Sequence, residues 1–362
     1  MVRRIASTLL TSLLLATAAH PAPTRTEVAP GVWLFQTAPH SDVGLDGNSV
    51  AIVSNDGVLV FDANGTPDAA RAVLAEIRTI TKQPVRWLVY SHWHWDHWYG
   101  AEVYAQAFPG LAIVSHEATR ALMAGPALAF NQPGLDEQLP AHIADVDTAL
   151  AKARREHAAP DRLRRLTEHL AEDRAFLAQK KGFHPRLATI TYTDSLTIHL
   201  GERVIQVLHH DRAITPGDTY LYLPKENVVV TGDLLINPVT FALFCYPAGW
   251  ISTLHAIDAL DAAVIVPGHG AAMKDEAVLH ATIALLEKER ALALAAKAAG
   301  RSVAEAKAAI LADPAVLDLR AQLIGADKAQ EPTFALYLVE WFVTRVYAEA
   351  DGPLDNSIPR LE

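Results

Sequence analysis

The chain has 362 residues, 51% of them hydrophobic, which allows a large buried core in one sizeable domain with insertions or in two small ones. Charged residues make up 20%, a globular rather than a disordered composition. The formal net charge of −10 argues against nucleic acid as a partner, because such binding is driven mostly by neutralising phosphates.

The N-terminus reads as a processing signal. Arg3 and Arg4 make a basic start, residues 5–16 are apolar or small, and Ala16-Thr17-Ala18 offers a small-x-small cleavage site. That apolar run is shorter than the ~20 residues a spanning helix needs. The expectation is a signal peptide over residues 1–19 and a mature chain, residues 20–362, that is periplasmic or secreted and not inserted in a membrane. Cys245 is the lone cysteine, so no intrachain disulfide can form and stability has to come from the core.

Residues 31–36, 49–54 and 57–62 read as strands. A helix follows, with Pro67 in its first turn and an apolar face at Ala70, Val73, Leu74, Ile77 and Ile80. Residues 85–90 form a short, continuous apolar strand with a dense His/Asp run just beyond it, and 111–115 read as another strand. From 117 to about 185 the chain turns rich in Ala, Leu, Arg and Glu. Leu163, Leu166, Leu170 and Leu177 share one helical face there, which predicts a helical insertion covering one side of the core. Strands return at 188–192, 195–200, 204–209, 219–223, 228–231 and 262–266. Residues 274–348 are mostly helical, with breaks near Gly300, Pro314 and Gly325. Two strand-rich halves separated by helices predict an α+β fold of two packed sheets with helices outside.

The run His92-Trp93-His94-Trp95-Asp96-His97 puts four ligand-type side chains within six residues at a strand end. Imidazole nitrogens and carboxylate oxygens suit a borderline cation such as zinc. An irregular loop lets alternating positions converge, which a regular strand would not. A lone histidine is more often structural than a ligand, but four such residues this dense are hard to explain by packing.

The pattern His-x-His-x-Asp-His resembles the signature of the metallo-β-lactamase superfamily. Thr215-Pro216-Gly217-Asp218, Thr231-Gly232-Asp233 and Pro267-Gly268-His269 resemble its later motifs in the expected order, and the resemblance spans roughly residues 31–270. It implies an αββα four-layer sandwich, here with the helical insertion and a helical C-terminal extension, and a two-zinc site at one edge of the sheets. By the same resemblance, His92 and His94 hold one ion with a further histidine. Asp96, His97 and His269 hold the other, and Asp233 bridges both. Water between the ions becomes the nucleophile, because bound zinc lowers its pKa from about 15.7 to about 7. Asp96 is the catalytic residue that orients it.

Ile214 departs from that pattern. It stands where the family's third histidine precedes the Thr-Pro-Gly loop, and isoleucine binds no metal. Three arrangements stay open: His92, His94 and Asp233 suffice; His209, His210 or Asp211 swings in from upstream; or the first site is weak and one tight ion sits in the second. A carboxylate at Asp233 is typical of relatives acting on thioesters, lactones, phosphodiesters and sulfate esters, whereas true β-lactamases generally carry another residue there. The resemblance therefore implies a zinc-dependent hydrolase using a metal-bound hydroxide on an ester, lactone, thioester or related small molecule. The alternatives are β-lactamase activity, or a metal-binding or sensing relative without turnover. Trp95, Trp98, Tyr99, Phe241, Phe244, Tyr246 and Trp250 are the expected walls of an apolar cleft.

Overall fold

The computed structural model describes residues 22–38 and 46–358; the expected signal segment at 1–19 lies outside the described residues. A seven-stranded sheet runs in chain order through β1 (Thr24–Ala29), β2 (Val32–Gln36), β3 (Ser49–Ser54), β4 (Gly57–Phe61), β5 (Val85–Val89), β6 (Ala112–His116) and β7 (Ile190–Tyr192). Its first half is a set of antiparallel pairs, and β4 to β7 are parallel. The second sheet holds β8 (Ser195–Leu200), β9 (Arg203–Leu208), β10 (Tyr220–Leu223), β11 (Val228–Gly232) and β12 (Val264–Pro267), antiparallel except for the parallel pair β11 and β12.

Parallel neighbours need a crossover, and helices supply it. Helix α1 (Pro67–Ile80) links β4 to β5; Thr66 caps it by accepting from the Ala69 N–H at 3.2 Å, and its Ala70, Val73, Leu74 and Ile77 face is buried. Helix α2 (Ala101–Ala107) lies between β5 and β6. After β6 come α3 (Glu117–Met123), α4 (Pro126–Pro133), α5 (Leu139–Arg155) and α6 (Pro160–Lys181), which make up the helical insertion. Helix α7 (Pro247–Asp258) links β11 to β12. Helices α8 (Ala277–Ala298), α9 (Val303–Leu311), α10 (Pro314–Ile324), α11 (Glu331–Phe334) and α12 (Trp341–Asp351) form the C-terminal extension. Gly300 and Gly325 both take positive φ, and Asp313 caps α10, so the breaks come where the sequence places them.

Alternation along the strands makes the four layers. Leu59 and Phe61 of β4 point between the sheets and meet Ile205, Val207, Leu221 and Val230. Val58 and Val60, one position over, point outward against Val73, Leu74 and Ile77 of α1. On the other face, Val229 and Ile265 pack outward against Leu254, Leu279 and Leu286. The result is the αββα sandwich.

Two kinds of element escape the sequence. Strand β1 is polar and largely exposed, an edge strand with no apolar alternation to announce it. Helices α2 and α7 are short and follow directly on loops read for their ligands and aromatics. Among the described residues, no helix is long and apolar enough to cross a membrane.

Leu221 sits fully buried on β10, opposite Val207 and Val230. Leu221→Ala should lower stability by about 2–5 kcal/mol, read as a lower urea midpoint at unchanged slope.

Candidate metal centre

Three strand ends deliver the candidate ligands to one edge of the sandwich. Strand β5 ends at Val89 and the chain runs into His92 and His94, then through a single 3-10 turn, Trp95–His97. Strand β11 ends just before Asp233, and β12 just before His269. Because β4 and β5 are parallel, as are β11 and β12, their C-terminal ends fall together, where open parallel sheets place their sites.

The side chains form two triads, His92/His94/Asp233 and Asp96/His97/His269, each with ligand atoms within 4.8 Å of one another. Asp233 divides its carboxylate between them. Its Oδ2 lies 3.5 Å from His92 Nε2 and 3.9 Å from His94 Nδ1. Its Oδ1 lies 3.2 Å from His97 Nε2 and 3.4 Å from His269 Nε2. Asp96 Oδ2 completes the second group at 3.1 Å from His269 Nε2 and 3.5 Å from His97 Nε2. Ligands held about 2.0–2.1 Å from a tetrahedral zinc stand roughly 3.3 Å from one another. His97, His269, Asp96 and Asp233 match that figure closely; His92, His94 and Asp233 match it more loosely.

Burial sharpens the point. His92 Nε2, His97 Nε2 and Asp233 Oδ1 are buried without any hydrogen-bond partner, although polar atoms stand at 3.2–3.5 Å. Lone pairs that converge on shared points instead of on each other are what a divalent cation satisfies. The residues present fit one.

A second layer fixes the rings. Asp62 takes a left-handed φ of 62° and accepts from the Ser91 N–H at 2.7 Å, the Ser91 hydroxyl at 2.7 Å and His97 Nδ1 at 2.8 Å. Burial raises the Asp62 carboxyl above its ordinary range, while the His97 ring and Ser91 donors oppose that. Three converging donors need an ionised acceptor. With Nδ1 holding its proton toward Asp62, His97 directs Nε2 to the centre, bare once the second proton leaves. Ser91 Oγ donates to Asp62 and so accepts from His92 Nδ1 at 2.8 Å, which bares His92 Nε2 in the same way. Asn48 Nδ2 donates to the Pro267 and Gly270 carbonyls at 2.8 and 2.9 Å, tying the His269 turn to the first sheet. A Cβ on Gly268 would stand 2.1 Å from Asp233 Oδ1, so only glycine passes there. Sequence reasoning missed Asp62, Ser91 and Asn48. The available signal was an aspartate closing an otherwise apolar strand.

Ile214 is fully buried among Trp250 and Leu254. The upstream candidates are engaged elsewhere: His209 Nδ1 lies 2.9 Å from the Asp218 carbonyl with its ring stacked 4.1 Å from His116. His210 Nε2 meets Ser252 Oγ at 3.1 Å, and Asp211 accepts from the Arg212 N–H. None joins a triad. Among the described residues, His92, His94 and Asp233 stand together without a third imidazole.

The aromatic expectations divide. Phe241 and Phe244 flank His94 at 5.5 and 5.4 Å between ring centroids. Trp95 and Tyr99 line a cavity of about 400 Å³, bounded on its far side by Leu139, Phe176 and Lys180 of the insertion. Trp98, Tyr246 and Trp250 are corrected to structural roles. Trp98 is buried and donates to the Trp93 carbonyl, Tyr246 donates to the Asp355 carbonyl, and α7 turns Trp250 into the core, where it donates to the Leu234 carbonyl. Lys180, which no sequence motif singles out, lies 3.2 Å from the Trp95 ring centroid and 4.0 Å from that of Tyr99.

The family model of the Metallo-beta-lactamase superfamily matches residues 42–269, well over half the chain. The chain belongs to that superfamily. The fold of that superfamily implies a divalent cation, and the two triads are where this chain would hold it. A linear primary-alkylsulfatase from Pseudomonas sp. (strain ATCC 19151) is 24% identical over 242 residues, 60% of this chain but only 40% of that relative's length. Among solved structures, DIM-1 metallo-beta-lactamase exposed to ceftazidime aligns with a TM-score of 0.51 at 15% identity, covering 74% of this chain and 98% of that one. The metallo-beta-lactamase from Pontibacter korlensis aligns with a TM-score of 0.51 at 18% identity, covering 73% and 99%. These likenesses are to the fold.

Electrostatics separates the superfamily member's two triads. Burial opposes charge on His269, but Asp233 and Asp96 outweigh it and raise its pKa to about 10; His97 is raised well above its usual value in the same way. Burial, with His94 and His97 nearby, lowers His92 to about 3. Before metal enters at neutral pH, protons therefore occupy His97 and His269 but not His92. Filling the Asp96/His97/His269 triad should release protons, and its affinity should rise with pH toward about 10. Calorimetric titrations in buffers of different ionisation enthalpy check this; heats independent of the buffer at pH 7 would contradict it.

Proposed function

We propose that the chain is a zinc-dependent hydrolase with two ions, one per triad, cleaving an ester-type bond in a small molecule that has an apolar body. The observation that carries this reading is Asp233, which turns one carboxylate oxygen toward each triad. Imidazole and carboxylate donors at near-tetrahedral spacing suit zinc. His92, His94 and Asp233 would hold one ion, and Asp96, His97, His269 and Asp233 the other. Bound there, zinc makes water nucleophilic at neutral pH and polarises the substrate oxygen.

The chain's own residues do the rest. The Asp96 carboxyl is held below its ordinary range: burial works against this, but His97 and His269 prevail, so it stays ionised to orient the attacking water. Phe241 and Phe244 beside His94, and Trp95 and Tyr99 on the cavity wall, offer aromatic surface to the substrate's apolar part. Lys180 is 6% exposed at the cavity wall; burial pushes its pKa well below the usual lysine range, and an anionic group on the substrate would restore its charged form. A sulfate ester of an aliphatic alcohol combines these features, and the alkylsulfatase relative points the same way. The signal-like N-terminus supports export with cleavage near residue 19.

A panel of sulfate-ester, carboxylic-ester, lactone, thioester and β-lactam probes, with and without chelator, tests the reading. Chelator-sensitive turnover of the ester probes is expected. Asp96→Ala and His269→Ala should each cut the rate by roughly 10²-fold or more while circular dichroism stays native. Metal titration should show a tight step and then a weaker one, because the second triad has the fuller donor set. Turnover indifferent to chelator, or near-normal rates in both variants, would defeat it.

A further inference from the structure

Helices α5 and α6 hold a third cluster that neither triad uses. His169 and Asp173 stand one turn apart on α6, and His142 reaches across from α5. Asp173 Oδ2 lies 3.1 Å from His169 Nε2 and 3.4 Å from His142 Nε2, and the two Nε2 atoms are 3.4 Å apart. A triangle with those sides matches the roughly 3.3 Å between ligands of a tetrahedral zinc.

The carboxylate is the telling group. Asp173 is fully buried in a helix pair otherwise packed with Val146, Leu150 and Leu170, and neither of its oxygens has a hydrogen-bond partner. A buried carboxylate without hydrogen bonds needs a cation beside it. An ordinary His–Asp pair would aim an N–H at an oxygen. Here both imidazoles bring Nε2 within reach of the same oxygen without aligning a bond to it. The two Nε2 atoms are also within hydrogen-bond reach of each other, so all three ligand atoms converge.

We infer that His142, His169 and Asp173 form a third divalent-metal site of the zinc type, separate from the two triads. Two imidazoles and a carboxylate leave one position for water or a substrate anion. His142 also lines the cavity, and Lys180 lies two turns beyond Asp173 on α6. An ion here clamps α5 to α6 and sets the wall that carries Lys180. The site does not depend on the proposed hydrolysis.

Zinc per chain, measured by elemental analysis after loading and dialysis of the full-length protein, tests it. His169→Gln, at a part-exposed position, should bind one zinc fewer than the unmodified chain, and His142→Gln should do the same. A His92→Ala/His97→Ala variant, which removes a ligand from each triad, should still bind one zinc and melt at a higher temperature with zinc than without. Adding His169→Gln to that variant should abolish the zinc-dependent shift. Equal zinc content in the unmodified chain and both glutamine variants would overturn the proposal, as would a His92→Ala/His97→Ala protein whose melting ignores zinc. Loss of the triad ions alone would instead appear as lower zinc in the unmodified chain with the glutamine difference intact, so the two readings fail separately.

Discussion

Asp233 is 4% exposed, at the end of β11, with histidines on both sides of its carboxylate. Burying one negative charge there is costly unless positive charge stands beside each oxygen. Desolvation would push this carboxyl up, yet His97, His269 and His92 hold it well below its ordinary range. In the metal-free chain, protons on His97 and His269 meet the need; in the loaded chain, cations do. The same electrostatic demand thus makes the site stable when empty and receptive to metal.

The surrounding architecture serves that carboxylate. Two pairs of parallel strands bring the ligand loops to one edge, and the Ser91–Asp62 relay commits His92 and His97 to the tautomers that bare their Nε2 atoms. Asn48 joins the sheets across the site and holds the His269 turn against the first. The insertion and the C-terminal extension then close over this edge. Phe176 and Lys180 come from the first, and Tyr337 and Trp341 of the second pack on Phe241 beside His94. Chemistry sits on the sandwich, and the fit to a substrate comes from the added helices.

The six candidate ligands were legible as a group because four of them are neighbours in sequence and the other two follow strands with recognisable turns. The strands were legible because alternation and short apolar runs survive in the sequence, whereas polar β1 shows neither. Asp62 and Ser91 act through other side chains, and nothing in their immediate sequence says which imidazole they will meet. Tyr246 and Trp250 are near Asp233 in sequence, but proximity does not give direction, and Pro247 starts a helix that turns Trp250 inward. His142, His169, Asp173 and Lys180 sit in Ala-, Leu- and Arg-rich helices, where a charged residue normally marks a solvated face. Only the pairing of α5 with α6 shows that Asp173 and Lys180 are buried and that both histidines turn toward Asp173.

Zinc-edge anomalous diffraction from crystals of the zinc-loaded chain tests the central claim most directly. Two peaks should flank the Asp233 carboxylate, each about 2.0–2.2 Å from one of its oxygens, one among His92 and His94 and the other among Asp96, His97 and His269. A single peak at this centre, or two peaks neither of which touches Asp233, would contradict the account.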